Sequence, residues 1–215
     1  MGVGHGAWPS SPPTPLEEYI GALRRLLVGQ PVDTAGRYVR LRGVQLAHAP
    51  SVVPPVFAGV RGPKSLQLSG RVAQGTILAE PVTPEYLAMA VKQVGSAGHD
   101  FVAYNVASVD DDPAAARARA QAALAVVAEP DWRPHVAGLE FAAELAELRS
   151  RTRSAAAFAA ALPDRWVDRL AIVGTPERAR DQVAALWNGG ASRVVLIPAI
   201  PEPRAALDSL ARLLG

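Results

Sequence analysis

The 215-residue chain contains no cysteine, so disulfides, thiolate metal sites and cysteine nucleophiles are excluded. Lysine is scarce too: Lys64 and Lys92 are the only two, and nearly all of the 22 basic residues are arginines. No stretch gathers five or six of them. They alternate with Asp and Glu, which is the pattern of solvated helix faces, and no nucleic-acid partner is expected. No apolar run approaches the ~18 residues that span a bilayer, so no membrane association is expected. The start, Met1 to Gly6, has neither the basic nor the apolar segment of a signal peptide, and the expected location is cytoplasmic. The hydrophobic fraction of 49% is that of an ordinary globular chain, which excludes disordered and fibrous classes. The length allows a core that folds without staples.

What is present is a repeated theme. Residues 1–15 are rich in Gly, Pro and Ser and read as a loop. Leu16, Ile20, Leu23 and Leu27 then share one helical face, and Gly29 ends that helix. Residues 36–47 alternate in character and predict a short irregular hairpin. Beyond them, short apolar runs near 52–59, 75–80, 101–109 and 192–198 read as strands. Each is followed by a few loop residues and a proline that opens a helix: Pro63, Pro84, Pro113 and Pro203. Proline suits the first helical position, where its missing N–H is not needed. Thr83, Asp112 and Thr175 are placed as N-caps. Helices are expected over 114–128, around Val136 to Leu148, and after Pro176 up to Gly189-Gly190. Apolar strands alternating with helices indicate an α/β fold with a parallel sheet buried on both faces. Four such strands are about half of what a closed (β/α)8 barrel needs.

The sharpest local signal is Phe57-Ala58-Gly59-Val60-Arg61-Gly62-Pro63-Lys64-Ser65: a strand end, a glycine-bearing turn and a helix start. Glycines let backbone N–H groups approach an anion, a helix N-terminus adds partial positive charge, and Arg61 and Lys64 add formal charge. Two readings stand side by side, a phosphate site and an ordinary turn with two exposed cations. Gly2-Val3-Gly4-His5-Gly6 has no strand–turn–helix frame for a dinucleotide fingerprint and reads as a flexible terminus. His5, His48, His99 and His135 have no metal-ligand spacing, so no metal site is expected and each reads as a surface or structural histidine. Asp110-Asp111-Asp112 before Pro113 reads as a helix cap. The serine-hydrolase, Ser-x-x-Lys and zinc-protease motifs are absent. Trp8, Trp132, Trp166 and Trp187 read as packing residues.

Pro55 to Leu66, followed by Gly70-Arg71-Val72-Ala73-Gln74-Gly75-Thr76-Ile77-Leu78, resembles the luciferase-like monooxygenase family of flavin- and coenzyme F-420-dependent oxidoreductases. The family pattern has Asp where this chain has Gln74. Val173 to Glu177, with Gly189 to Leu196, resembles the family's last helix and strand. Gly2 to Gly6 resembles the loop after its fourth strand. The resemblance implies one domain over 1–215, an incomplete TIM barrel corresponding to the second half of a (β/α)8 barrel and to the C-terminal portion of the family, without the N-terminal strands. It implies FMN or coenzyme F-420 (a deazaflavin) as cofactor, held at Gly59, Val60, Arg61, Gly62, Pro63 and Lys64. The implied chemistry is hydride transfer or oxygen activation on a small organic substrate. His5 and Glu80 are the candidates for catalytic residues. A non-catalytic half-barrel that acts as a subunit or binding module is the alternative. Open strand edges imply a homo-oligomer or a covering partner chain.

Overall fold

Two prolines set where the parallel sheet begins. Pro54 and Pro55 supply no N–H, so the apolar run that starts at Val52 cannot enter a ladder until after them. Val52 is 82% exposed, and the strand is Phe57–Gly59 rather than 52–59. The computed structural model describes residues 1–4 and 14–214 and divides into two compact units, Met1–Leu78 with Ala90–Phe101, and Ala79–Met89 with Val102–Gly215.

In the first unit the elements are β1 (Gly2–Gly4), α1 (Thr14–Leu27), β2 (Val32–Ala35), β3 (Arg40–Val44), β4 (Phe57–Gly59), α2 (Pro63–Val72) and β5 (Gly75–Leu78). β4 pairs in parallel with β1, from Gly2↔Phe57 to Gly4↔Gly59, and with β5, from Phe57↔Gly75 to Gly59↔Ile77. Gly2 to Gly4, expected as part of a flexible terminus, is therefore a strand. Its ladder is continued by the Phe57 N–H, which donates to the Met1 carbonyl at 2.7 Å. Leu66 and Leu68 of α2 are fully buried. Each such burial stabilises the fold by about 1.5–3 kcal/mol. Gly70 lets α2 lie directly on the backbone at Val94, since a Cβ there would overlap the Val94 carbonyl oxygen.

The hairpin is real but begins earlier than 36. β2 and β3 form their own antiparallel sheet, Val32↔Val44 and Ala35↔Arg40, and residues 36–39 are its turn. Glu18 of α1 holds that turn. Its carboxylate accepts the N–H groups of Arg37 at 3.1 Å, Tyr38 at 2.8 Å and Val39 at 2.9 Å. Those bonds, the Val39 and Tyr38 ones first, hold its pKa below the usual carboxylate value. A Cβ at Gly36 would displace that carboxylate from its place on the turn. Gly29, at φ +76°, ends α1 in the left-handed region.

The remaining elements are α3 (Pro84–Val94), β6 (Asp100–Val109), α4 (Pro113–Ala123), α5 (Arg133–Val136), α6 (Ala142–Arg151), α7 (Ala155–Ala160), α8 (Asp164–Leu170), β7 (Ile172–Gly174), α9 (Pro176–Asn188), β8 (Arg193–Pro198) and α10 (Pro203–Ala211). In the second unit β6 pairs in parallel with β7, Ala107↔Ile172 to Val109↔Gly174, and with β8, Val102↔Arg193 to Ala107↔Pro198. The core of this unit gathers the buried Leu124, Leu145, Phe158 and Leu170, with Phe141 stacked on Trp166 at 4.9 Å. The helix expected over 114–128 turns into 3-10 geometry at Leu124, and the one expected over 136–148 is two pieces, α5 and α6. The α/β class with parallel strands and intervening helices is as the apolar strand pattern indicates. No helix among the described residues is long and apolar enough to cross a membrane.

Candidate functional site

The turn singled out in the sequence leaves the C-terminal end of β4 and enters α2. Ala58 and Val60 are buried, so the strand end is fixed from beneath. Arg61 is half-buried, while Pro63 and Lys64 are exposed. Gly62 is the N-cap, extended at φ −87° and ψ 158°, and no side chain caps this helix. The first helical bond runs from the Leu66 N–H to the Gly62 carbonyl at 2.9 Å. Pro63 has no N–H, so Lys64 and Ser65 carry the first-turn N–H groups, and the N-cap residue has no side chain to accept them. A Cβ at Gly62 would meet nothing within 4 Å, which shows open space before the helix end. Backbone donors at a helix start with open space beside its N-cap are what an oxyanion requires, and Arg61 and Lys64 flank that N-cap in the chain.

Four helix starts with proline at the first position, those of α3, α4, α9 and α10, are closed by a side chain, whereas the starts of α5, α6 and α8 have no side-chain cap. Thr83 accepts from the Tyr86 N–H at 3.2 Å, Asp112 from Ala114 at 2.9 Å, Thr175 from Arg178 at 3.5 Å, and Glu202 from Arg204 at 3.0 Å. Asp110, Asp111 and Asp112 divide their work: Asp112 caps α4, Asp110 pairs with Arg119, and Asp111 pairs with Arg212 at 2.8 Å.

Glu80 follows β5 and is half-buried. Its segment is anchored through the backbone. The Trp132 indole N–H donates to the Glu80 carbonyl, and His135 Nδ1 lies 3.2 Å from the Pro81 carbonyl oxygen. A carbonyl only accepts, so that nitrogen carries the proton. His135 is buried and stacks on Tyr86 at 4.2 Å between centroids. It is a structural histidine. His48 is exposed. His99 is half-buried with Nε2 at 2.8 Å from Thr76 Oγ1, which is 2.7 Å from Ser69 Oγ. His5 lies outside the described residues, as does Trp8. Trp132 and Trp166 are packed, and Trp187 is 57% exposed instead. Sequence reasoning missed Glu18 and the Ser69–Thr76–His99 chain, whose members are far apart in sequence. It noted Gln74 only as a departure from the family pattern; the structure gives it a bond, its Oε1 accepting the Val56 N–H at 3.0 Å.

The model of the luciferase-like monooxygenase family matches residues 2–193. The 5,10-methylenetetrahydromethanopterin reductase of Methanolobus tindarius is 29% identical over 208 residues, covering 91% of this chain and 62% of that protein. An F-420-dependent glucose-6-phosphate dehydrogenase of Mycobacterium tuberculosis is 34% identical over 101 residues, 44% of this chain and 30% of that protein. Among solved structures, the coenzyme F-420-dependent tetrahydromethanopterin reductase of Methanopyrus kandleri superposes with a TM-score of 0.72 at 23% identity, covering 94% of this chain and 62% of that one. A monooxygenase from Streptomyces bottropensis gives 0.55 at 19% identity, covering 92% and 59%. The chain thus spans less than two thirds of the length of the reductases it matches. The expected restriction of the likeness to the family's C-terminal portion is not borne out, because the match begins at residue 2. With a match of that extent, the chain belongs to the luciferase-like monooxygenase family.

Proposed function

We propose that the chain takes part in cofactor-dependent hydride transfer on a small organic substrate, and that the turn from Gly59 to Lys64 holds the phosphate of that cofactor. The observation that carries this reading is the α2 N-terminus, left without a side-chain cap where four other helix starts with proline at the first position have one. The residues fit the group. The Lys64 and Ser65 N–H groups donate to phosphate oxygens, and the α2 dipole favours the negative charge. Arg61 and Lys64 supply charge-assisted bonds. Buried Val60 keeps water from the inner side of the turn. Glu80, on its backbone-anchored segment, is kept as the candidate catalytic carboxylate. A deazaflavin or flavin, when bound, supplies the hydride chemistry itself. Coenzyme F-420 is the favoured cofactor, since a relative and a solved structural neighbour are both F-420-dependent enzymes by name. FMN remains the other arm of the test.

We read the 215 residues as one domain built as part of a TIM barrel, with its strand edges covered by a second copy or a partner chain. In support, Val194 to Ile197 of β8 stay half-exposed, although such residues are normally buried in a parallel sheet. Fluorescence titration of the purified chain with coenzyme F-420 and with FMN tests the assignment. Saturable binding is expected, weakened by about 1–3 kcal/mol when Arg61 and Lys64 are both replaced by Ala. Equal affinity in wild type and double variant would remove the turn from the site.

A further inference from the structure

A cavity of about 340 Å³ opens at the other end of β4 from the Gly59–Lys64 turn. It lies between the last turn of α1, the segment before β4 and the residue before β5. Its apolar lining includes Leu27, Val53 and Val56. Its polar lining is Arg24, Arg25 and Gln74, and no carboxylate lines it. The Gln74 amide is oriented: its Oε1 accepts the Val56 N–H at 3.0 Å, which leaves its NH2 as a donor. Each arginine is tethered by one nitrogen. Arg24 Nη1 donates to the Val72 carbonyl at 2.8 Å, and Arg25 Nη1 reaches the Asp33 carbonyl at 3.5 Å. A guanidinium has five N–H donors, so both keep others in reserve.

Two objections to an anion here are met by the structure. A helix C-terminus normally repels anions through its open carbonyls. In α1 the carbonyls of Arg24, Arg25 and Leu26 accept the N–H groups of Val28, Gln30 and Gly29. The acids on neighbouring elements are also committed. The Asp33 carboxylate accepts the Gly43 N–H at 2.7 Å, and Glu18 holds the hairpin turn.

We infer that this cavity binds a small organic oxyanion, a carboxylate or phosphate monoester on a short apolar body. The volume is at the small end of the range for small-molecule sites, which suits a metabolite-sized ligand. The oxyanion meets Arg24, Arg25 and the Gln74 NH2, and its apolar body lies on Leu27, Val53 and Val56. The site is separate from the cofactor turn and does not depend on it.

Calorimetric titration of the full chain with acetate, butyrate, hexanoate, hexanol, butyl phosphate and inorganic phosphate tests this. Affinity should rise by about twofold or more per added CH2 from acetate to hexanoate, a part of the gain for complete burial. Butyl phosphate should bind more tightly than inorganic phosphate, and hexanoate than hexanol. A ranking of hexanoate over butyl phosphate identifies a carboxylate site, and the reverse a phosphate site. Replacing Arg24 and Arg25 together by Ala should weaken the better ligand by about tenfold or more. Gln74→Asp, which sets a carboxylate beside both guanidiniums, should do the same and serves if the double variant fails to fold. Arg61→Ala with Lys64→Ala should leave this binding unchanged. Absence of saturable binding, hexanol binding as well as hexanoate, or indifference to Gln74→Asp would overturn the inference.

Discussion

The turns that open α2 and α4 are built from the same parts and finished differently. Both lead from a parallel strand to a proline at the first helical position. At α4 the N-cap is Asp112, whose carboxylate takes the Ala114 N–H, so this end is closed by the chain's own anion. At α2 the N-cap is Gly62, with no side chain and with open space before it. A capped end contributes to stability and sets a carboxylate where an anionic ligand would sit. An uncapped end forgoes that contribution and keeps its donors. The helix behind it must then be held by packing, which is what Leu66, Leu68 and the close seat of Gly70 provide.

That contrast can be broken at several points. Gly70→Ala forces a methyl into the Val94 carbonyl and should cost about 1–3 kcal/mol in a denaturant melt. A neutral result would mean that packing does not hold α2. Asp112→Ala removes a working cap and should cost about 1 kcal/mol of stability while leaving cofactor affinity unchanged. Loss of affinity in that variant would place the cofactor elsewhere.

A smaller effect concerns pH in the segment under α2. Burial holds the His99 ring below its ordinary value of 6.5. The unfolded chain therefore takes up a proton that the folded chain refuses. Stability should be flat above that value, fall as pH drops from it toward the lower folded value, and level off beneath. Denaturant melts across this window check the slope, and His99→Gln should remove it. An unchanged slope in that variant would assign it to other groups.

The sequence made the α2 turn and the parallel βα theme readable because both rest on local rules. Proline at the first helical turn, caps at Asp112 and Thr175, and branched residues in β6 and β8 act within a few positions. What it hid depends on distant partners. Gly2-Val3-Gly4 has little strand propensity, with glycine on both sides of Val3, and pairs in parallel with β4. The run from Val52 has the propensity and fails at Pro54 and Pro55. The start of the hairpin is set by the reach of Glu18 from another helix, which no periodicity reveals. β7 is three residues long and too short to stand out from the flanking helices. At the candidate site, Gly62 was legible as a turn residue, whereas the absence of a cap across from it became visible only beside the closed ends of other helices.

Gly62→Asp tests the account most directly, because it converts the open end into the closed kind. A cap at this position should raise stability by a few tenths of a kcal/mol, since glycine is only slightly poorer than Asp as an N-cap. The same carboxylate would occupy the Lys64 and Ser65 N–H groups and repel a phosphate. Parallel thermal melts and coenzyme F-420 titrations of wild type and variant give both quantities. The account predicts a melting point equal to or above that of wild type, with affinity reduced by about tenfold or more. Undiminished affinity in a folded Gly62→Asp chain would contradict it.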